Sequence, residues 1–131
     1  MTTSTAVHGQ IKAALEAAGL HVEWGPADSL PVVDGLVGQA VVLWPDAPLY
    51  DHDRACGGRS GRFDRAVLTC VGASSLDALA VADRVEAALG GVRLPSGGLL
   101  RQVAASRPVA EPNTDPRRVS LGVEYSTITK G

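Results

Sequence analysis

The sequence predicts an α+β fold: a mixed, largely antiparallel sheet flanked by two helices, in the order α-β-β-β-α-β-β. Two stretches have helical apolar spacing, one near the N-terminus and one in the middle. The strand-like stretches outnumber them and are separated by Gly, Pro and Asp, so most neighbours join through turns. Two helices are too few crossovers for a doubly wound parallel sheet, and helices packed on one face are expected. The 131 residues read as a single domain, 1–131, with a long flexible loop at 45–62.

Thr3, Ser4 or Thr5 can cap the first helix, whose apolar stripe is Val7, Ile11, Ala14, Leu15 and Ala18; Gly19 ends it. Gly9 inside it costs about 1 kcal/mol against Ala, so this helix depends on tertiary packing. Leu20–Trp24 follows as a short strand, with Leu20, Val22 and Trp24 alternating with His21 and Glu23. Gly25–Gly35 carries Pro26, Pro31 and Gly35 and is favoured as a loop; the alternative is a hairpin closed by Asp34-Gly35. Leu36–Trp44 is the next strand, and its continuous apolar centre predicts cover on both faces.

Pro45–Arg62 reads as irregular, with Pro45, Pro48, Gly57, Gly58 and Gly61 among acidic and basic residues. The best-specified unit comes next, from Phe63 to Gly91. Phe63–Val71 is rich in β-branched and aromatic residues, with Leu68 and Cys70 on the opposite face. Gly72 and Ala73 allow a turn, Ser74 caps the following helix, and Asp77 complements its dipole. Ala78, Val81, Ala82, Val85, Ala88 and Leu89 line one side of that helix, and Gly90-Gly91 end it. A turn at Pro95–Gly98 leads to a strand over Leu99–Ala105. Arg107–Pro116 is extended or looped. In Val119–Thr127, Val119, Leu121, Val123 and Tyr125 share one face of a half-exposed antiparallel strand.

Hydrophobic residues make up 45% of the chain but aromatics only 4%, so the core is built from Val, Leu and Ala. The formal net charge of -2 draws the chain neither to nucleic acid nor to an anionic membrane. No apolar run is long enough to span a bilayer, and the N-terminus lacks the basic start and apolar core of a signal peptide. Synthesis in a cytoplasm, with Cys56 and Cys70 reduced, is the expectation. A bridge between the two cysteines stays open as an alternative.

No catalytic constellation is visible. Tyr50-Asp51-His52-Asp53, with Cys56 nearby, is the most chemical-looking spot, but neither Cys-x-x-Cys nor His-Glu-x-x-His spacing is present. A solvated polar loop fits better than a metal site. His8 and His21 have no evident nucleophile partner and read as surface or partly buried structure. Cys70 in an apolar strand reads as inert packing. Gly72-Ala73-Ser74-Ser75 lacks the Gly-Lys-Ser/Thr of a phosphate loop and reads as a turn and a cap. Arg54, Arg59, Arg62 and Arg65 are basic but have two carboxylates just upstream, so docking on an acidic protein fits them at least as well as a nucleic-acid groove. No cofactor is expected. The absence of a catalytic set points to assembly or binding rather than to an enzyme.

Several of these segments together resemble the tail-terminator (minor tail) proteins of long-tailed bacteriophages. They are the N-terminal helix Ile11–Gly19, the strand GQAVVLWP (Gly38–Pro45), the run LTCVGASSLDALAVADRVEAALGG (Leu68–Gly91), and a late strand with an aromatic at Tyr125. The resemblance implies an α+β subunit that assembles as a ring, usually a hexamer, on the end of the completed tail tube. Such a ring stops tube polymerisation and offers a surface to the head-side connector. It implies a virion protein assembled in the host cytoplasm, partnered by itself, the tube protein and the connector, with no catalytic residues. Pro45–Arg62 is then the candidate partner-facing loop, with Asp51, Asp53, Arg54, Arg59 and Arg62 as contact residues. A loop that orders only on docking would also gate premature ring formation. The alternatives are another head–tail or neck component, a small-molecule-binding regulatory α+β domain and, last, an enzyme using the Asp51–His52–Asp53 loop.

Overall fold

A computed structural model describes residues 3–27, 29–52, 59–96 and 98–129, without the side chains at 51, 52, 59, 60 and 129. Helix α1 (Ser4–Ala17) begins where Thr3 Oγ1 accepts a hydrogen bond from the Ala6 N–H at 3.1 Å. It ends at Gly19, whose φ of 85° is open to glycine at little cost. The short strand β1 (Val22–Trp24) follows. Val22 is buried as expected, whereas Trp24, expected to share its cover, is exposed at the outer edge of the sheet.

The next segment departs from expectation. Gly25–Gly35 is not all loop: β2 (Val32–Val33) and β3 (Leu36–Val37) form a hairpin. Its two-residue turn puts Asp34 at φ 52° and Gly35 at φ 75°. Both are left-handed, the twist that a two-residue hairpin demands and that Asp and Gly tolerate best. The prolines that argued for a loop lie outside the paired residues, and the Pro31 carbonyl accepts from the Gly38 N–H at 2.7 Å. Leu36–Trp44, expected as one strand, breaks at Gly38-Gln39 and resumes as β4 (Ala40–Pro45).

The expected irregular loop at 45–62 also carries regular structure. Strand β5 (Leu49–His52) pairs antiparallel with the start of β6 (Arg59–Gly72), Leu49 opposite Phe63 and Tyr50 opposite Arg62. Nothing pairs with its outer side among the described residues, and Pro48 precedes the strand, so it disturbs no ladder there. The strand predicted from Phe63 therefore starts four residues earlier, at Arg59. Residues 49–52 and 59–62 thus take part in strand pairing. Asp53, Arg54 and Cys56 lie outside the described residues.

Helix α2 (Ser75–Leu89) is capped as the sequence predicts: Ser74 Oγ accepts from the Asp77 N–H at 3.2 Å. Gly72 is required by proximity, because a Cβ there would lie 2.5 Å from Asp77 Cβ and 2.8 Å from Ala78 N. Beyond α2, β7 (Arg101–Ala105), β8 (Val109–Ala110) and β9 (Val119–Thr129) complete the chain. The sheet order is β1-β4-β6-β9-β7, with β5 on β6 and β8 on β9. The β1–β4 pair is parallel and the others are antiparallel, so the sheet is mixed and largely antiparallel.

Both helices cover one face. Val7, Ile11 and Leu15 of α1 and Ala78, Val81, Val85 and Leu89 of α2 share a core with alternate strand residues. Those are Val41 and Leu43 on β4, Ala66, Leu68 and Cys70 on β6, and Val119, Leu121, Val123 and Tyr125 on β9. On the opposite face a smaller cluster of Leu30, Val37, Ala40, Val42 and Val71 forms where the segment carrying the β2–β3 hairpin lies over the sheet.

Candidate functional site

The two faces of the sheet differ in what they leave open. On the face away from the helices, cross-strand rows follow from the register. Ala40, Val71 and Ser120 form the first row, Val42, Thr69 and Gly122 the second, Trp44, Val67 and Glu124 the third. Next come Arg65, Ser126 and Arg101, then Leu49, Phe63 and Ile128. Burial falls steadily along these rows. Ala40 and Val71 are fully covered, Trp44 and Phe63 are each 39% exposed, and Leu49 and Ile128 are more than half exposed. The face is therefore apolar at both ends but covered at only one.

Two contacts hold the uncovered part in place. Trp44 Nε1 donates to Thr69 Oγ1 at 3.1 Å, and the indole lies against Gly25, where a Cβ would come within 2.4 Å of the ring. Arg65 pairs with Asp46 at 3.2 Å, with both side chains about 40% exposed. The hairpin presents a second apolar surface: Val32, Val33 and Leu36 are all more than half exposed around the Asp34-Gly35 turn. The open row of Leu49, Phe63 and Ile128 and the exposed hairpin are the two candidate contact surfaces.

The residues predicted as partner contacts divide three ways. The backbones of Asp51 and Arg59 lie in the β5–β6 arm, Asp51 opposite Gly61 and Arg59 opposite His52. Asp53 and Arg54 lie outside the described residues. Arg62 turns inward: its side chain is 13% exposed, and its Nε donates to Asp64 Oδ2 at 2.8 Å. That position gives Arg62 a structural partner in Asp64.

Arg62 belongs to a buried polar cluster on the helix side of the sheet. Asp64 is 1% exposed and stands opposite Thr127, also buried. His8 of α1, expected at or near the surface, is 3% exposed. Among the described residues neither ring nitrogen of His8, nor Asp64 Oδ1, nor Thr127 Oγ1 has a hydrogen-bond partner. Burial lowers the His8 pKa below its ordinary 6.5; Asp64 and Asp46 oppose that shift, and Arg62 adds to it. The sequence signal was present but unread: Ser4, His8, Ile11 and Leu15 fall on one helical stripe.

Among the described residues no three His, Cys, Asp or Glu side chains cluster as metal ligands. Cys70 is a free thiol, fully buried, and burial pushes its pKa up to about 12. A groove of about 410 Å³ beside β1 is lined by Lys12, Glu23, Trp24 and Pro26, with Lys12 held by Glu16 at 2.9 Å. No helix among the described residues is long and apolar enough to cross a membrane.

The fold has close counterparts among solved structures. One chain of the virion of a native gene transfer agent particle superimposes with a TM-score of 0.65 at 18% identity, over 95% of this chain and 95% of that one. A second solved chain matches with a TM-score of 0.52 at 19% identity, over 94% of this chain and 91% of the other. No family model and no curated protein sequence matches the chain. At these identities the likeness establishes the fold: two helices on one side of a largely antiparallel mixed sheet.

Proposed function

We propose that this chain is a structural protein of a phage-like virion, acting as the tail terminator. Copies of it form a ring, a hexamer by the resemblance, on the finished tail tube. The ring halts tube growth and offers its other surface to the head-side connector. One observation carries the virion role: likeness over 95% of both chains to a component of a native gene transfer agent particle. The terminator role rests on the resemblance of Gly38–Pro45 and Leu68–Gly91 to that family. The open apolar row of Leu49, Phe63 and Ile128 and the exposed hairpin support assembly, since a ring subunit can bury such surfaces against its neighbours. The role is non-catalytic, in keeping with a buried, unreactive Cys70 and a histidine enclosed in the core.

Deleting the gene from the phage-like element that carries it tests the role. A terminator deletion yields tails of uncontrolled length without heads. Tails of uniform length that fail to join heads would instead identify a neck component, the second structural reading. Unchanged particles would exclude both.

A further inference from the structure

We propose that the β2–β3 hairpin of one copy docks on the uncovered end of the sheet face of the next copy, which makes the ring contact head-to-tail. This rests on the ring reading above and names the surfaces that would form it.

Four observations lead there. First, the molecule has two unmatched apolar surfaces of different shape. One is a narrow arm bearing Val32, Val33 and Leu36; the other is a flat row of Leu49, Phe63 and Ile128. Different shapes suit a heterologous contact, which closes into a ring, rather than an isologous one, which stops at a dimer. Second, the chain already covers the near end of this face in the same way. Leu30 and Val37, which flank the exposed hairpin residues, pack on Ala40, Val42 and Val71.

Third, the arm cannot reach the far end of its own face. Along β6, Val71 under the hairpin and Phe63 in the open row are eight residues apart, about 26 Å at strand rise. The hairpin strands are two residues each, spanning only about 7 Å. Fourth, the charges agree. The row beside the open apolar row carries Arg65 and Arg101 on either side of Ser126, and the arm's turn carries the exposed Asp34. Asp46 partly offsets Arg65.

The test uses the full chain, sized by light scattering across a concentration series and imaged by electron microscopy. Wild type forms rings. Val33→Asp on the arm and Phe63→Asp on the face each raise the dissociation concentration about tenfold or more. Mixing the two variants is decisive. The V33D copy keeps an intact face and the F63D copy an intact arm, so an equimolar mixture forms a one-to-one heterodimer and no ring. Circular dichroism checks the fold; should F63D not fold, L49S on the exposed edge strand replaces it. Rings from both single variants at wild-type concentrations would overturn the contact while leaving the ring reading intact. A mixture that stays monomeric although each variant is folded would also overturn it. A wild-type protein that is monomeric at every concentration and on tail tubes would overturn the ring reading and the contact together.

Discussion

Arg62 Nε donates to Asp64 Oδ2 at 2.8 Å, and the pair is enclosed between the sheet and α1, with Asp64 only 1% exposed. A buried carboxylate separated from its cation bears most of the cost of leaving water. Arg62→Ala should therefore destabilise the fold by about 3–5 kcal/mol, far more than loss of an exposed arginine. Removing both charges with R62M and D64L together should cost much less than either single change. Urea denaturation of the two singles and the double gives the coupling directly. Additive losses would contradict a coupled buried pair.

His8 faces this pair from α1 and is held neutral by burial. Its folded pKa lies below 6.5, so the unfolded chain takes up the proton first as the pH falls. Stability is therefore lost progressively as the pH drops below 6.5, until the lower folded pKa is reached. A His8→Phe variant should lack this component, so the wild-type and variant stability curves should diverge below pH 6.5 and run parallel above it. Urea midpoints of the wild type and the variant measured across that range test it.

The elements most legible in the sequence are those whose signals are local. Ser74 caps α2 because its spacing to Asp77 is short and chemically explicit. The alternation of Val119, Leu121, Val123 and Tyr125 needs no partner to be read, and all four are buried. β5 has little signal of its own, being four residues that directly follow Pro45 and Pro48. Its place comes from pairing with residues 59–63. The open row of Leu49, Phe63 and Ile128 was hidden for the same reason: three residues from three strands meet only through register. Asp34-Gly35 carried a hairpin signal that neighbouring prolines outweighed. Nothing local to Arg62 announces that its side chain turns inward toward Asp64.

Tyr125 and Glu86 join the interior strand β9 to α2. The buried Tyr125 hydroxyl donates to Glu86 Oε2, and burial, then the bond and charge of Glu86, raise the phenol pKa above its ordinary 10.0. The folded state holds the neutral phenol while the unfolded chain ionises near pH 10, so stability falls as the pH rises past that value. Tyr125→Phe should cost about 1.5–3 kcal/mol near neutrality, typical of a hydrogen bond to a charged group. It should also flatten the alkaline loss. Ultraviolet titration of tyrosinate in the wild type should show Tyr125 ionising only with unfolding.

Two glycines in this chain should respond to the same substitution with opposite sign. Gly9 lies inside α1, and a Cβ there would meet nothing within 4 Å. Gly9→Ala therefore removes an entropic penalty without a steric one, and should stabilise the protein by about 0.5–1 kcal/mol. Gly72 ends β6 directly behind the first turn of α2. A Cβ there would press on Asp77 Cβ and on the Ala78 backbone nitrogen, which cannot rotate aside. Gly72→Ala should cost about 1–3 kcal/mol, the usual penalty for forcing atoms into a packed site. Thermal midpoints should move up for the first variant and down for the second. A neutral Gly72→Ala would mean that α2 does not sit as tightly on the end of β6 as the Ser74 cap requires.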